Sequence, residues 1–197
     1  FEVNHLNDRD LTPEEERDLM TYLQPRLAEY DLILVSDFGH GLISPKVIKA
    51  LAATAAGKMA VNAQINAANV GFNLITKYQH PLFVCLDEQE ARLATQERFA
   101  PIDVVAFALS HTLGTQNLII TVGKSGSVAV ENNELLHRTP VVSQKVIDTV
   151  GAGDAFFAFA APLVAKKLPL ELAAFIGNAV GALAVQIVGN KRPVERH

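Results

Sequence analysis

Four short, nearly unbroken apolar runs punctuate the chain: Asp31 to Asp37, Met59 to Ala63, Pro81 to Leu86 and Asn117 to Val122. Continuous rather than alternating apolarity predicts strands buried on both faces of a parallel sheet. Helical spacing fills the intervals. Thr12-Pro13-Glu14-Glu15 reads as a capped helix start running to about Tyr30, and Ser44-Pro45 opens a second helix to about Ala56. Asp87 to Gln96 and Pro101 to Leu113 predict two more, so strands alternate with helices as in βαβ units with right-handed crossovers. After Gly123 the rhythm changes. Ser127 to Glu131 and Glu134 to Thr139 flank Asn132-Asn133, which predicts an antiparallel hairpin at the sheet edge. Two alanine-rich helices close the chain, one from near Gly153 and one over Leu170 to Val188; both are apolar around most of their circumference and are expected to be deeply packed.

Composition narrows the class. At 197 residues with 49% apolar, 19% charged, one cysteine and a net charge of −4, the chain is expected to form one globular core without disulfides, and a basic nucleic-acid binder is excluded. Cys85 in an apolar run reads as a core thiol, and no signal-peptide pattern opens the chain, which points to a reducing, cytoplasmic setting. Leu172 to Gly189 carries Asn178, Gln186 and three glycines, so a buried helix is expected there rather than a membrane span. The Glu14-Glu15-Glu16 run reads as a solvated face favouring the positive end of its helix. Asn62 to Asn73 is the one long polar irregular stretch, of the kind in which functional residues concentrate after strands.

Asp148-Thr-Val-Gly-Ala-Gly-Asp154 stands between an apolar extended segment and an apolar helix. Its glycines let a ligand approach the main chain, and the first-turn N–H groups of the helix point the same way, forming an anion hole suited to a phosphoryl group. Asp154 beside such a site repels phosphate, which makes sense if it accepts a proton from an attacking hydroxyl. An aspartate at a helix start is equally an ordinary N-cap, and spacing alone leaves both readings open. A dinucleotide fingerprint fails because Phe156 replaces the third glycine, and a P-loop fails because Leu118 stands where TVGKS would need its leading glycine.

DTVGAGDAF, residues 148 to 156, resembles the second signature of the ribokinase, or PfkB-type, carbohydrate kinases. In the same order, Asp87 to Glu90 resembles the NxxE element, Thr121 to Gly126 the TxGxxG turn beside the nucleotide, and Asn178 to Leu183 the helix walling the adenine. Ser36 to Gly41 is most similar to the SDYGKG segment of heptose-phosphate kinases, the kinase halves of ADP-heptose synthases. The resemblance implies an α/β, ribokinase-like fold with a mostly parallel sheet, helices on both faces and an antiparallel edge hairpin. It implies Asp154 as general base, Gly151, Ala152 and Gly153 as the anion hole, and Thr121, Gly123, Gly126, Thr149 and Asn178 around ATP. It further implies Glu90 and Asp87 near Mg²⁺, and Asp148 with the Val150 carbonyl at a K⁺ site. The expected acceptor is a sugar or sugar phosphate.

Several positions depart from the pattern. Asp87 replaces the Asn of NxxE, and His40 stands where the SDYGKG segment has lysine. Val61-Asn62-Ala63-Gln64 lacks the acid and lysine of the kinases' VDPK, which weakens the transfer of heptose-kinase specificity. Against the family, residues 1–197 read as one kinase domain in a piece of a longer polypeptide, without the N-terminal half that carries the sugar-binding aspartate and lid. Without that lid, hydrolysis is expected to compete with transfer. Exposed sheet edges would favour a homodimer. The competing readings are a nucleotide-binding or regulatory module that does not turn over, and a kinase of a nucleoside or vitamin alcohol.

Overall fold

A computed structural model describes residues 9–55, 57–65, 69–143, 147–187 and 194. Thr12 and Glu15 close the expected capping box ahead of α1 (Pro13–Leu27), and Arg9 grips both Glu15 carboxylate oxygens at 2.7 Å. Glu16 is more than a solvated residue: it accepts from the Ser44 hydroxyl at 2.5 Å and lies 3.4 Å from Lys46, tying α1 to the start of α2 (Pro45–Thr54). The expected end of α2 at Ala56 lies outside the described residues.

Among the described residues six strands form one sheet in chain order: β1 (Ile33–Asp37), β2 (Met59–Ala63), β3 (Phe83–Asp87), β4 (Asn117–Thr121), β5 (Ser127–Glu131) and β6 (Leu135–Thr139). β1 to β4 are parallel, and β4–β5 and β5–β6 are antiparallel. The expected fold class is therefore observed. Asn132 and Asn133 both take positive φ, 55° and 58°, the mirror-image turn whose twist matches a hairpin.

Period-2 alternation sends successive strand residues into two separate cores. Val84 and Leu86 face α1, α2, α3 (Glu88–Thr95) and α4 (Ile102–Leu113), together with Val61, Ile120 and Val130. Phe83 and Cys85 face α5 (Ala152–Ala165) and α6 (Leu170–Ala184), where the Phe83 and Phe157 rings stack with centroids 6.2 Å apart. Burial raises the Cys85 thiol well above its ordinary pKa, in keeping with a core role.

The last two helices are packed on one side only. Phe156, Phe157, Ala173 and Ala174 are buried, while Phe159, Phe175 and Leu183 remain 44 to 53% exposed, because no second layer covers their outer face among the described residues. The expectation of deep packing is corrected accordingly. α6 ends at Ala184, and Val188 lies outside the described residues. No described helix is long and apolar enough to cross a membrane.

Glycine is required at Gly126. Its φ is +88°, and a Cβ there would meet the Thr139 carbonyl oxygen at 2.0 Å, whereas Gly57, at φ +76°, has open space around it. Gly57→Ala is expected to cost about 1–2 kcal/mol from backbone conformation alone. Gly126→Ala adds a backbone clash and is expected to cost at least about 3 kcal/mol. Urea unfolding of both variants measures the difference, and equal losses would rule out the close approach.

Candidate active site

The carboxyl ends of parallel strands leave backbone groups and loop residues converging on one edge of the sheet, which is where open α/β folds bind ligands. Register sets the juxtapositions: β3–β4 pairing places Asp87 beside Thr121, and β1–β2 pairing places Asp37 beside Ala63, just ahead of Gln64. A cleft of about 810 Å³ opens there between the strand ends, the start of α5 and the flank of α6. It is lined by Asp154, Gly151, Ala152, Gly153, Thr121, Gly123, Gly126, Thr149, Asn178, Glu90 and Asp87, so all but one of the sequence-predicted residues meet in it. Asp148 is the exception. Its carboxylate accepts from the Val150 N–H at 3.0 Å and organises the loop leading to α5.

Gly151, at φ +78°, is the N-cap of α5, so Asp154 occupies the third helical position and the N-cap reading of that aspartate does not hold. Of the three residues expected to form the anion hole, only Gly151 uses a positive φ. Ala152 N–H donates to the Thr149 carbonyl at 3.3 Å, which leaves Gly153 and Asp154 as the first-turn N–H groups without an intrahelical acceptor by the rule of helix starts. A Cβ on Gly153 would meet nothing within 4 Å, so this position is helical rather than sterically demanding.

Asp154 Oδ1 accepts from the Gln64 side-chain amide at 2.6 Å. The same Gln64 nitrogen donates to Asn62 Oδ1 at 2.8 Å, and Asn62 in turn donates to the Cys85 carbonyl at 2.8 Å. Gln64 and Asn62 stood out in the sequence only as departures from VDPK. Their place in the irregular stretch after β2 was the available signal, but a contact between residues 64 and 154 has no trace in local spacing.

Asp87 caps α3 by accepting from Glu90 N–H at 2.7 Å, and Glu90 returns the bond through Oε2 from Asp87 N–H at 2.9 Å. Glu90 Oε1 accepts from Ile65 N–H at 3.2 Å, fastening the loop after β2 to α3. With both oxygens accepting from backbone, Glu90 is only 8% exposed. Burial pushes its carboxyl up to about 7, the negative charges of Asp87 and Asp154 add to the rise, and the two backbone donors oppose it. Mutual repulsion of this kind is what a divalent cation relieves. Among the described residues no cluster of three or more His, Cys, Asp or Glu side chains forms a closed metal cage. The donor set therefore fits Mg²⁺ that keeps most of its water and takes one or two carboxylates beside phosphate oxygens.

Across the cleft, Asn178 donates to Ser127 Oγ at 2.9 Å and, at 3.4 Å, to the Thr139 carbonyl, pinning α6 to the hairpin. Val122 N–H donates to Gly126 O at 2.8 Å and Gly126 N–H to Gly123 O at 3.2 Å, closing the turn after β4. At the far side, buried Asp37 accepts from Tyr78 OH and Lys77 Nζ, each at 2.6 Å, and from Gly39 N–H at 3.0 Å. That cluster anchors the segment resembling SDYGKG.

Comparison with known proteins agrees with this architecture. The model of the pfkB family carbohydrate kinases matches residues 2–196. The chain belongs to the pfkB family of carbohydrate kinases. It is 30% identical over 183 residues to the bifunctional protein HldE of Trichlorobacter lovleyi, covering 91% of this chain and 36% of that protein. It is also 30% identical over 187 residues to HldE of Caulobacter vibrioides, covering 91% and 37%. The chain thus spans little more than a third of these relatives' length. Its fold is similar to that of Arabidopsis thaliana ribokinase complexed with ribose and ATP, with a TM-score of 0.68, 20% identity, and 85% of this chain and 54% of that one covered. Escherichia coli phosphofructokinase-2 in complex with potassium gives a TM-score of 0.74 at 16% identity, over 93% of this chain and 60% of that one.

Glu90 supplies a pH test. With its folded pKa near 7 against an ordinary 4.5, the folded chain holds a proton that the unfolded chain has released, so this stabilisation is full below about pH 4.5 and is lost as pH rises through about 7. Relative to Glu90→Gln, whose amide stays neutral, wild type is expected to lose melting temperature between pH 5 and pH 8 as its buried carboxyl ionises. A gap that is the same at both pH values would show that Glu90 titrates normally.

Proposed function

We propose that this chain carries out ATP-dependent phosphoryl transfer to a hydroxyl of a sugar or sugar phosphate. The observation that best supports this is the cleft itself, which gathers Asp154, in the first turn of α5, with Asp87 and Glu90 at the carboxyl ends of the strands. The acceptor hydroxyl gives its proton to the Asp154 carboxylate as its oxygen bonds to the γ-phosphorus. The bond from that phosphorus to the β,γ-bridging oxygen breaks, and ADP leaves. Gly153 and Asp154 N–H groups, at the positive end of α5, bear on the charge of the transferred group. Thr121, Gly123, Gly126, Thr149 and Asn178 flank the nucleotide.

Asp87 and Glu90 would hold Mg²⁺, which when bound neutralises charge on the β- and γ-phosphates. A potassium site at Asp148 and the Val150 carbonyl is proposed from the family resemblance alone. Similarity at Ser36 to Gly41 supports a heptose phosphate or related acceptor, while the neutral Gln64 in place of lysine removes a charge that would meet an acceptor phosphate. Among the described residues no strand pairs with the outer side of β1, and that edge supports pairing with a second copy.

ADP release from ATP and Mg²⁺ with a panel of sugars and sugar phosphates, alongside titration with a nonhydrolysable ATP analogue, tests the proposal. Asp154→Asn is expected to lower kcat by about 10²–10⁴-fold with analogue affinity within about twofold of wild type. Equal losses in kcat and affinity would remove the role of base. Wild-type chain that binds the analogue without any turnover would replace a kinase with a nucleotide-binding module.

A further inference from the structure

Gln64 is mounted more rigidly than a loop residue needs to be. Its N–H donates to the Asp37 carbonyl at 2.8 Å, and its own carbonyl accepts from Asn73 Nδ2 at 2.8 Å. Asn73 is 4% exposed and also donates to the Asp37 carbonyl at 2.9 Å. The backbone of Gln64 is therefore clamped from both sides by the buried cluster at the end of β1.

Its side chain is directed just as firmly. An amide nitrogen carries two hydrogens, and Gln64 Nε2 has two acceptors in reach, Asp154 Oδ1 at 2.6 Å and Asn62 Oδ1 at 2.8 Å. Asn62 is 4% exposed, and its own amide nitrogen faces the Cys85 carbonyl, which can only accept. That fixes which end of Asn62 is oxygen and so which end of Gln64 is nitrogen. Gln64 thus donates in two directions, to the carboxylate of the proposed base in the first turn of α5 and, by way of Asn62 in β2, toward the Cys85 carbonyl of β3, joining three elements far apart in sequence.

We infer that Gln64 is a positioning residue for Asp154. Its amide holds Oδ1, so that Oδ2 is presented to the acceptor hydroxyl, and it does so with a neutral donor that leaves the carboxylate's charge in place. A cation at this distance would stabilise the carboxylate more strongly and make it a weaker proton acceptor. The role rests on the reading of Asp154 as the base. Reach matters as much as chemistry: asparagine is shorter by one carbon–carbon bond, about 1.5 Å, and would not span from the end of β2 to α5.

The test is steady-state kinetics of ADP release by the chain carrying Gln64→Ala, Gln64→Asn, Gln64→Lys or Asp154→Asn, and by the double variant Gln64→Ala/Asp154→Asn. Gln64→Ala and Gln64→Asn are expected to lose on the order of 10²-fold in kcat with KM for ATP within about twofold, the loss set by a misdirected base. Gln64→Lys restores a donor of sufficient reach and is expected to recover part of that loss. The double variant should be no slower than Asp154→Asn, because Gln64 acts only through that carboxylate. Should Gln64→Ala fail to fold, the isosteric Gln64→Glu, which sets a second carboxylate against Asp154, is expected to show the same loss in kcat. Wild-type rates in the Gln64 variants beside an inactive Asp154→Asn would overturn the positioning role alone. Losses that multiply in the double variant would overturn it too. A wild-type chain that releases no ADP would overturn the kinase reading and the positioning role with it.

Discussion

Burial of the central strands on both faces is the constraint from which the site follows. β2 is buried along its whole length and β3 from Phe83 to Leu86, so neither strand has room for a reactive polar group along its apolar span. Chemistry is pushed to the strand ends, where the chain turns out of the sheet. Parallel pairing then puts several such ends side by side, and Asn62, Gln64, Asp87 and Thr121 become neighbours although up to 59 positions separate them in sequence. The two cores also divide the labour. One holds the strands against four helices, and the other seats α5 so that its N-terminal turn overlooks those ends.

The resulting cleft is electrostatically uneasy, and its hydrogen bonds are arranged around that fact. Glu90 is buried beside Asp87 and within the field of Asp154, and two backbone donors only partly offset the cost of its charge. A group balanced near neutrality in this way responds to whatever cation or phosphate enters. Asp154 is treated differently: the neutral Gln64 amide donates to its carboxylate and orients it. Asp87, where the resemblance has Asn, costs the helix nothing, because either residue caps α3, but it adds one more carboxylate beside Glu90.

Element positions were largely legible because strand burial and helix capping are local signals. The Thr12 and Ser44 starts, the Asn132-Asn133 hairpin and the four apolar runs all appear within a few residues of their expected places. Packing depth was not. The apolar circumference of α5 and α6 suggested burial all round, yet Phe159 and Phe175 face outward, since hydrophobicity states what a side chain favours and not whether a neighbouring layer exists to receive it. Likewise Asp154 looked like an N-cap from spacing, and only the positive φ of Gly151 moved the cap three residues upstream.

Sequence by itself determined the alternation of strands and helices, the DTVGAGDAF signature and its order relative to Asp87, Glu90 and Gly123, because these depend on contacts within a few residues or on residue type. Tertiary structure alone decided that Gln64 meets Asp154, that Asn62 and Cys85 orient it, that Glu90 is buried and raised in pKa, and that Asp148 turns into its own loop rather than into the cleft. Those outcomes depend on strand register and on which side chains exclude water from one another, and both arise only when segments distant in the chain are packed together.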